Sequence, residues 1–204
     1  MSKKYFVTGI GTEIGKTIVS AVLVEKLKAD YWKPIQSGEL DNSDTHKVKS
    51  LISNEVSVFH PEAYQLTQPY SPHYSAALDG LTISLDQINL PKTNNFLIIE
   101  GAGGLMVPIN AKDLMIDLIE KLNAEVILVS KNYLGSINHT LLSIEALKNR
   151  GISVKGLIFN GAENKSSEDI IVNLSGLSVL GRVPEFTKID QAAIKQVTNF
   201  IQQL

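Results

Sequence analysis

The sequence predicts an α/β protein with a parallel β-sheet flanked by helices on both faces. Short runs of apolar residues recur along the chain, each bounded by glycine or polar residues, and stretches with helical periodicity separate them. Strands that are apolar on successive positions are typical of sheets buried on both faces. Alternation of strands with helices indicates βαβ units, and 204 residues suit a single domain, 1–204.

The elements are predicted in order from these patterns. The apolar runs predict strands at 5–7, 31–32, 96–99, 126–129, 157–159 and 179–180. Amphipathic spacing predicts helices at 17–28, 43–52, 114–122, 138–149, 167–173 and 190–204. Residues 38–94 interrupt the alternation, with helix 43–52 followed by a loop region that contains proline and tyrosine. An insertion of this length is more often functional than idle.

Composition excludes several classes of function. The chain has no cysteine, which excludes disulfides, thiolate metal sites and a cysteine nucleophile. Lys and Arg number 19 against 21 Asp and Glu, with no basic run, so we expect no nucleic-acid partner. The apolar runs are far shorter than the ~20 residues that span a bilayer, and the N-terminus lacks the apolar stretch of a secretory signal. We therefore expect a cytoplasmic protein with no membrane partner.

The segment 8–17, Thr-Gly-Ile-Gly-Thr-Glu-Ile-Gly-Lys-Thr, lies between the first predicted strand and the first predicted helix. A loop there can direct backbone N–H groups at phosphate oxygens. Lys16 would reach the β- and γ-phosphates, and the Thr17 hydroxyl would bind Mg²⁺. The common G-x-x-x-x-G-K-[ST] motif requires glycine where this chain has Ile10, so the loop is a variant. It predicts a P-loop NTPase-like protein that binds ATP, rather than a glycine-rich turn before an ordinary helix.

Acidic and basic residues follow two strands at the same predicted sheet edge. Glu100 comes directly after strand 96–99, where a carboxylate can hold Mg²⁺ or its water shell. Lys33 ends the second strand, and Ser37 follows it. Asp44 is either a second magnesium ligand or a helix cap, because Ser43 and Asp44 are both favoured as caps. The local sequence leaves both roles of Asp44 open.

Together these segments resemble dethiobiotin synthetase, an ATP-dependent cyclo-ligase of biotin synthesis, over nearly the whole chain. The resemblance rests on the order and spacing of seven stretches, which are 8–17, 33–38, 42–44, 71–76, 100–104, 134–139 and 159–161. It implies that 7,8-diaminopelargonate, CO₂ and ATP give dethiobiotin, ADP and phosphate through a carbamate. It also implies a homodimer that uses Mg²⁺.

The resemblance assigns roles to individual residues. Lys33 would hold the carbamate, with Lys16 as the second catalytic lysine, and Asn160 would contact adenine. The implied magnesium ligands are Thr17, Asp44 and Glu100. The implied substrate contacts are Thr12, Ser37 and, from the partner subunit, Leu134 and Asn138. The implied nucleotide contacts are Glu13, Ile14, Gly15, Lys16, Thr17, Ile18, Asp44, Glu100, Gly101, Ala102, Gly103, Asn160, Gly161, Pro184, Glu185 and Phe186.

The alternative function is an ATPase switch of the partitioning and cell-division type, which shares the geometry of this loop. Those ATPases carry an additional lysine near the start of the loop, where this chain has Thr8 and Gly9. A GTPase is disfavoured because no Asn-Lys-x-Asp motif occurs, and a complete glutamine amidotransferase would need a cysteine. A nucleotide-binding regulator without chemistry is the remaining alternative.

Overall fold

A computed structural model describes residues 3–204. Its strands are β1 (Lys4–Gly9), β2 (Asp30–Trp32), β3 (Ile35–Ser37), β4 (Phe59–His60), β5 (Tyr64–Leu66), β6 (Leu97–Gly104), β7 (Glu125–Lys131), β8 (Val154–Asn160) and β9 (Val179–Val183). Its helices are α1 (Lys16–Leu27), α2 (Asp44–Leu51), α3 (Pro72–Leu78), α4 (Met115–Leu122), α5 (Ser136–Asn149), α6 (Lys165–Ser175) and α7 (Gln191–Val197).

The main sheet has seven strands in the order β4-β2-β6-β1-β7-β8-β9, and every neighbouring pair is parallel. The carboxyl ends of all its strands therefore lie at one edge, where ligands bind in open α/β sheets. β1 and β6 are direct neighbours, so the P-loop that follows β1 lies beside Glu100 of β6. The predicted fold class is confirmed.

Alternate residues of the central strands enter two separate hydrophobic clusters, one on each face of the sheet. Phe6 and Ile99 belong to the cluster that α4 and α5 cover, whereas Val7 and Ile98 belong to the cluster that α1 and α7 cover. Burial on both faces explains why these strands are apolar on successive positions.

The region 38–94 is more regular than the sequence predicted. Helix 43–52 is confirmed as α2, but the predicted loop after it contains β4, β5 and α3. β4 pairs with β2 at the edge of the main sheet, and β5 pairs with β3 in a second, two-stranded parallel sheet. Strands of two or three residues are too short for a periodic pattern, which is why the prediction of a loop was wrong there.

The predicted helix 190–204 is also wrong beyond its first half. α7 ends at Val197, a 3₁₀ turn covers Thr198–Phe200, and Ile201 then pairs antiparallel with Gly181. The N–H of Gln202 donates to the carbonyl of Leu180 at 2.7 Å. The last segment thus pairs with the edge of β9 that faces away from β8, and this pairing outweighs its helical propensity.

Candidate active site

The P-loop closes around its own lysine. Gly15 adopts a left-handed conformation, φ 88°, at the start of α1, which a Cβ would disfavour. The Nζ atom of Lys16 donates to the carbonyl of Gly11 at 2.9 Å. The pKa of Lys16 is lowered to about 8 from an ordinary value of 10.5, and burial of the side chain is the main cause. This ammonium is therefore poorly hydrated and available to an anion.

Two contacts hold the loop backbone in place. The side chain of Ile14 packs over Gly9, where a Cβ would lie 1.9 Å from its Cδ1 atom. The Nδ2 atom of Asn160, at the end of β8, donates to the Ile14 carbonyl at 2.8 Å. A Cβ on Gly15 would lie 2.1 Å from the same Nδ2 atom. Asn160 thus lies against the P-loop, and its contact with adenine stays a prediction.

Glu100 is the buried centre of the site, with 1% of its surface exposed. Its Oε1 atom accepts hydrogen bonds from the Thr17 hydroxyl at 2.8 Å and from Lys33 at 3.1 Å. Its Oε2 atom accepts a hydrogen bond from the Tyr31 hydroxyl at 3.0 Å. β6 continues to Gly104, so Glu100 lies within the strand and the predicted end of the strand at residue 99 is wrong. Its carboxylate is directed into the site rather than exposed to solvent.

Lys33 bridges two carboxylates, because its Nζ atom contacts Asp44 as well as Glu100. Burial alone would lower the pKa of Lys33, but the charges of Glu100 and Asp44 outweigh it and raise the pKa. Burial likewise opposes ionisation of Asp44, whereas Lys33, Lys47 and Thr17 favour the carboxylate and lower its pKa. Both partners stay charged in this pair.

The structure shows that Asp44 is not the cap of α2, and its role as a magnesium ligand stays a prediction. Ser43 is the N-cap of α2, since its hydroxyl accepts from the N–H of His46 at 3.3 Å. The carboxylate of Asp44 is therefore free to face Lys33. The Oε1 atom of Gln36 accepts from the N–H of Asp44 at 3.2 Å, which holds the start of α2 against β3.

A cavity of about 650 Å³ collects most of the predicted residues. The Oγ atom of Ser37 is buried there and has no hydrogen-bond partner among residues 3–204, so it can receive or donate a bond to a ligand. The predicted residues that line the cavity are Thr12, Glu13, Gly15, Lys16, Thr17, Ile18, Lys33, Ser37, Asp44, Glu100, Ala102 and Gly103.

Other predicted residues lie outside this cavity. Leu134, Asn138 and Glu185 line a separate cavity of about 750 Å³ beyond the end of β7. Leu134 is fully exposed. The remaining residues that do not line the 650 Å³ cavity are Ile14, Gly101, Asn160, Gly161, Pro184 and Phe186.

A partly buried ion pair holds the loop that follows β8. Glu168 of α6 pairs with Arg182 of β9, and Arg182 also donates to the Gly161 carbonyl at 3.2 Å. The Oε1 atom of Glu168 accepts from Asn132 at 2.6 Å and from the N–H of Asn164 at 3.1 Å. Asn160 and Gly161 therefore start a rigid loop.

The sequence did not single out Tyr31, Gln36, Lys47 or Tyr70, which contact or line the site. Tyr31 has the pattern of a core residue, and Lys47 that of a solvated helix face. Two of the four carried a signal: Tyr70 lies in the proline- and tyrosine-containing part of the insertion, and Gln36 lies in the stretch 33–38 that supports the resemblance.

The oxygen atoms of the site suit a magnesium ion that a nucleotide shares. Within residues 3–204 no group of three or more His, Cys, Asp or Glu side chains could hold a metal alone. Mg²⁺ is usually held by one or two carboxylates together with substrate phosphates. Glu100 and Asp44 with the Thr17 hydroxyl fit that pattern, because they converge beside the P-loop.

None of the helices in the described part of the chain combines the length and the apolar character needed to cross a membrane.

The chain is similar to known sequences and structures. A family described as an AAA domain matches residues 3–193. The ATP-dependent dethiobiotin synthetase of Christiangramia forsetii is 56% identical, over 96% of this chain and 94% of that protein. The same enzyme of Cytophaga hutchinsonii is 52% identical, over 94% of this chain and 93% of that protein.

Solved structures of ParA and MinD ATPases share the fold. The cell division ATPase MinD of Pyrococcus furiosus has a TM-score of 0.62 at 15% identity and covers 98% of both chains. A ParA family ATPase of Chlorobium tepidum has a TM-score of 0.59 at 12% identity, over 98% of this chain and 92% of that chain. At such low identity the likeness is evidence for the fold alone.

Proposed function

The chain belongs to the ATP-dependent dethiobiotin synthetases, and we propose that it joins 7,8-diaminopelargonate and CO₂ into the cyclic urea of dethiobiotin. ATP is consumed, and ADP and phosphate are released. Residues 1–204 would act as one catalytic domain. We place the reaction in the cytoplasm because it consumes ATP. The relatives are ATP-dependent ligases, so this protein is an enzyme of the same class.

One observation carries the proposal from the structural side. The same cavity contains two buried lysines of different kinds, Lys16 in the P-loop and Lys33 between two carboxylates. A carbamate that attacks a triphosphate brings two anions together, so catalysis requires positioning and positive charge. The site supplies both at the carboxyl edge of the sheet.

The proposed reaction has three steps. One amine nitrogen of the diamine attacks the carbon of CO₂ and loses a proton, which gives a carbamate. A carbamate oxygen attacks the γ-phosphorus, and the bond from that phosphorus to the β–γ bridging oxygen breaks, which releases ADP. The second amine then attacks the carbonyl carbon of the carbamic-phosphoric anhydride. Phosphate leaves, the nitrogen loses a proton, and the ring is closed.

The residues of the cavity divide these tasks. We assign Lys16 to the β- and γ-phosphates and Lys33 to the carbamate, with Thr12 and Ser37 as contacts of the diamine or carbamate. Thr17, Asp44 and Glu100 would hold Mg²⁺. When bound, the metal ion neutralises charge on the phosphates. Lys33 would exchange its contacts with Asp44 and Glu100 for the carbamate as the nucleotide site fills.

The nucleotide would extend from the P-loop towards β8 and β9. We propose that 13–18 and 100–103 contact the phosphates and that Asn160 and Gly161 contact adenine, with Pro184, Glu185 and Phe186 beside the base. The proximity of Asn160 to the Ile14 carbonyl supports this path, since the bond is 2.8 Å long.

We propose that the active enzyme is a homodimer. Leu134 and Asn138 do not line the Lys33 cavity, yet both are exposed at the start of α5. A second subunit that placed these residues over the open cavity would complete the diamine site. The full exposure of Leu134 supports such an interface.

The test is phosphate release from ATP with Mg²⁺ and bicarbonate, with and without 7,8-diaminopelargonate, and mass analysis of the product. We expect release to depend on the diamine and a cyclic urea of the mass of dethiobiotin to form. Hydrolysis that is independent of the diamine would overturn the proposal in favour of a switch ATPase.

A further inference from the structure

Tyr31 belongs to the core of the sheet but reaches the site with its hydroxyl. It lies in β2, its side chain is fully buried, and its ring is 5.8 Å from that of Phe59. Its register partner in β6 is Ile98, two residues before Glu100 on the same face of the sheet. The phenol therefore extends along the strands to the Oε2 atom of Glu100, 3.0 Å away.

The two oxygens of Glu100 have different partners. Oε1 faces the P-loop side, where Thr17 and Lys33 donate to it. Among residues 3–204, the group that donates to Oε2 is the hydroxyl of Tyr31. The terminal torsion of a glutamate side chain is broad, so a carboxylate held at only one oxygen can rotate. The Tyr31 hydroxyl removes that freedom.

We propose that Tyr31 is a positioning residue for the metal nucleotide, because its hydroxyl anchors Oε2 and directs Oε1 at Thr17. Groups that orient a metal ligand from behind commonly change metal affinity when they are removed. The inference rests on the proposed magnesium site of the synthetase, but it requires neither the diamine nor CO₂. Tyr31 does not touch the reacting atoms and is not a catalytic residue.

The test compares Mn²⁺ binding to the wild type and to Tyr31→Phe in the presence of ADP, by electron paramagnetic resonance. Phe keeps the ring and its packing, so the variant removes only the hydroxyl. We expect the Mn²⁺ affinity to fall about 10–100-fold. ADP affinity in EDTA should stay within about twofold, because Glu100 acts on the nucleotide through the metal.

Tyr5→Phe is the matched control. Tyr5 is buried in the same face of the sheet, and its hydroxyl has no hydrogen-bond partner within the described residues. This variant should bind Mn²⁺ like the wild type. An equal loss in both variants would overturn the proposal, as would unchanged Mn²⁺ affinity in Tyr31→Phe.

A double variant tests whether Tyr31 acts through Glu100. In a Glu100→Gln background, Tyr31→Phe should cause no further loss of Mn²⁺ affinity, and an additional tenfold loss would contradict the mechanism. If the wild type makes no dethiobiotin, the proposed function fails. The Mn²⁺ comparison would still decide the role of Tyr31.

Discussion

At the scale of single residues, the site places two lysines in opposite electrostatic environments. Lys16 is desolvated by the P-loop, and its pKa is lowered to about 8. Lys33 is more deeply buried, but Glu100 and Asp44 are adjacent, and its pKa is raised. One lysine is thus prepared to gain charge when an anion arrives, and the other is charged at every physiological pH.

Lys33→Ala should preserve ATP binding and reduce kcat by about 10²–10³-fold or more, because the carbamate loses its cation. ATP affinity by calorimetry and steady-state phosphate release measure the two effects separately. Lys47→Ala is the control, because Lys47 lines the same cavity without the buried position of Lys33. Its Nζ atom lies 3.7 Å from Asp44, and about a third of its side chain is exposed. A normal steady-state rate in Lys33→Ala would refute the catalytic role.

ATP binding should take up a proton at alkaline pH. In the free enzyme Lys16 loses its proton as the pH rises through about 8, whereas bound phosphates favour the ammonium. The uptake should approach about one proton near pH 9 and vanish towards pH 7. ATP affinity should therefore fall as the pH rises from about 7 to about 9. Calorimetry of Mg·ATP binding in buffers of different ionisation enthalpy measures this uptake.

Lys16→Arg is the control for that titration, because a guanidinium stays charged throughout this range. The variant should show no alkaline proton uptake even if its ATP affinity is lower. Uptake that persists in Lys16→Arg would assign the titration to another group.

At the scale of elements, the end of the chain is held by the sheet and not by its own helix. Ile201 pairs with Gly181, and a Cβ at Gly181 would lie 2.3 Å from the carbonyl oxygen of Phe200. Such a distance requires backbone movement. The absence of a side chain at this position is what lets the last segment approach β9.

Gly181→Ala should detach the segment that follows α7 and destabilise the protein by about 1–3 kcal/mol. Hydrogen exchange at the Gln202 N–H, which donates to Leu180, reports the detachment directly. Gly151→Ala is the control, because Gly151 has φ 64° with open space around it and tests backbone strain alone. Full protection of Gln202 in Gly181→Ala would contradict the prediction.

At the scale of the whole molecule, the proposed substrate residues are divided between two cavities. Lys33 and Ser37 lie in the cavity at the P-loop, whereas Leu134 and Asn138 line the one beyond β7. The proposed homodimer would join the two groups across an interface. β7 lies beside β1 in the middle of the sheet, whereas β4 is the edge strand on the other side of β1, so a position near β4 lies away from the cavity beyond β7.

Gel filtration should show a dimer. Leu134→Asp should weaken the dimer and raise KM for the diamine. Thermal stability should change little, because Leu134 is fully exposed. Val56→Asp is the control, because Val56 is 60% exposed just before β4. A strictly monomeric and fully active wild type would refute the shared site.

Residue patterns in the chain were enough to predict the alternating strands and helices, the P-loop and the carboxylate that follows strand 96–99. These features depend on local burial and on backbone conformations that glycine permits, both of which the sequence expresses directly. The same patterns left two roles open for Asp44. They did not single out Tyr31, whose hydroxyl reaches Glu100 from a neighbouring strand.

Only the tertiary structure decided how the insertion folds, where α7 ends and which atoms surround Glu100. Each depends on partners distant in the chain: β4 on β2, Ile201 on Gly181, and Lys33 on Asp44 and Glu100. The sequence by itself predicted an ATP-binding P-loop protein from one contiguous motif, and its resemblance over seven stretches predicted the kind of enzyme. The arrangement of charges was decided by the order of the strands, which no local pattern encodes.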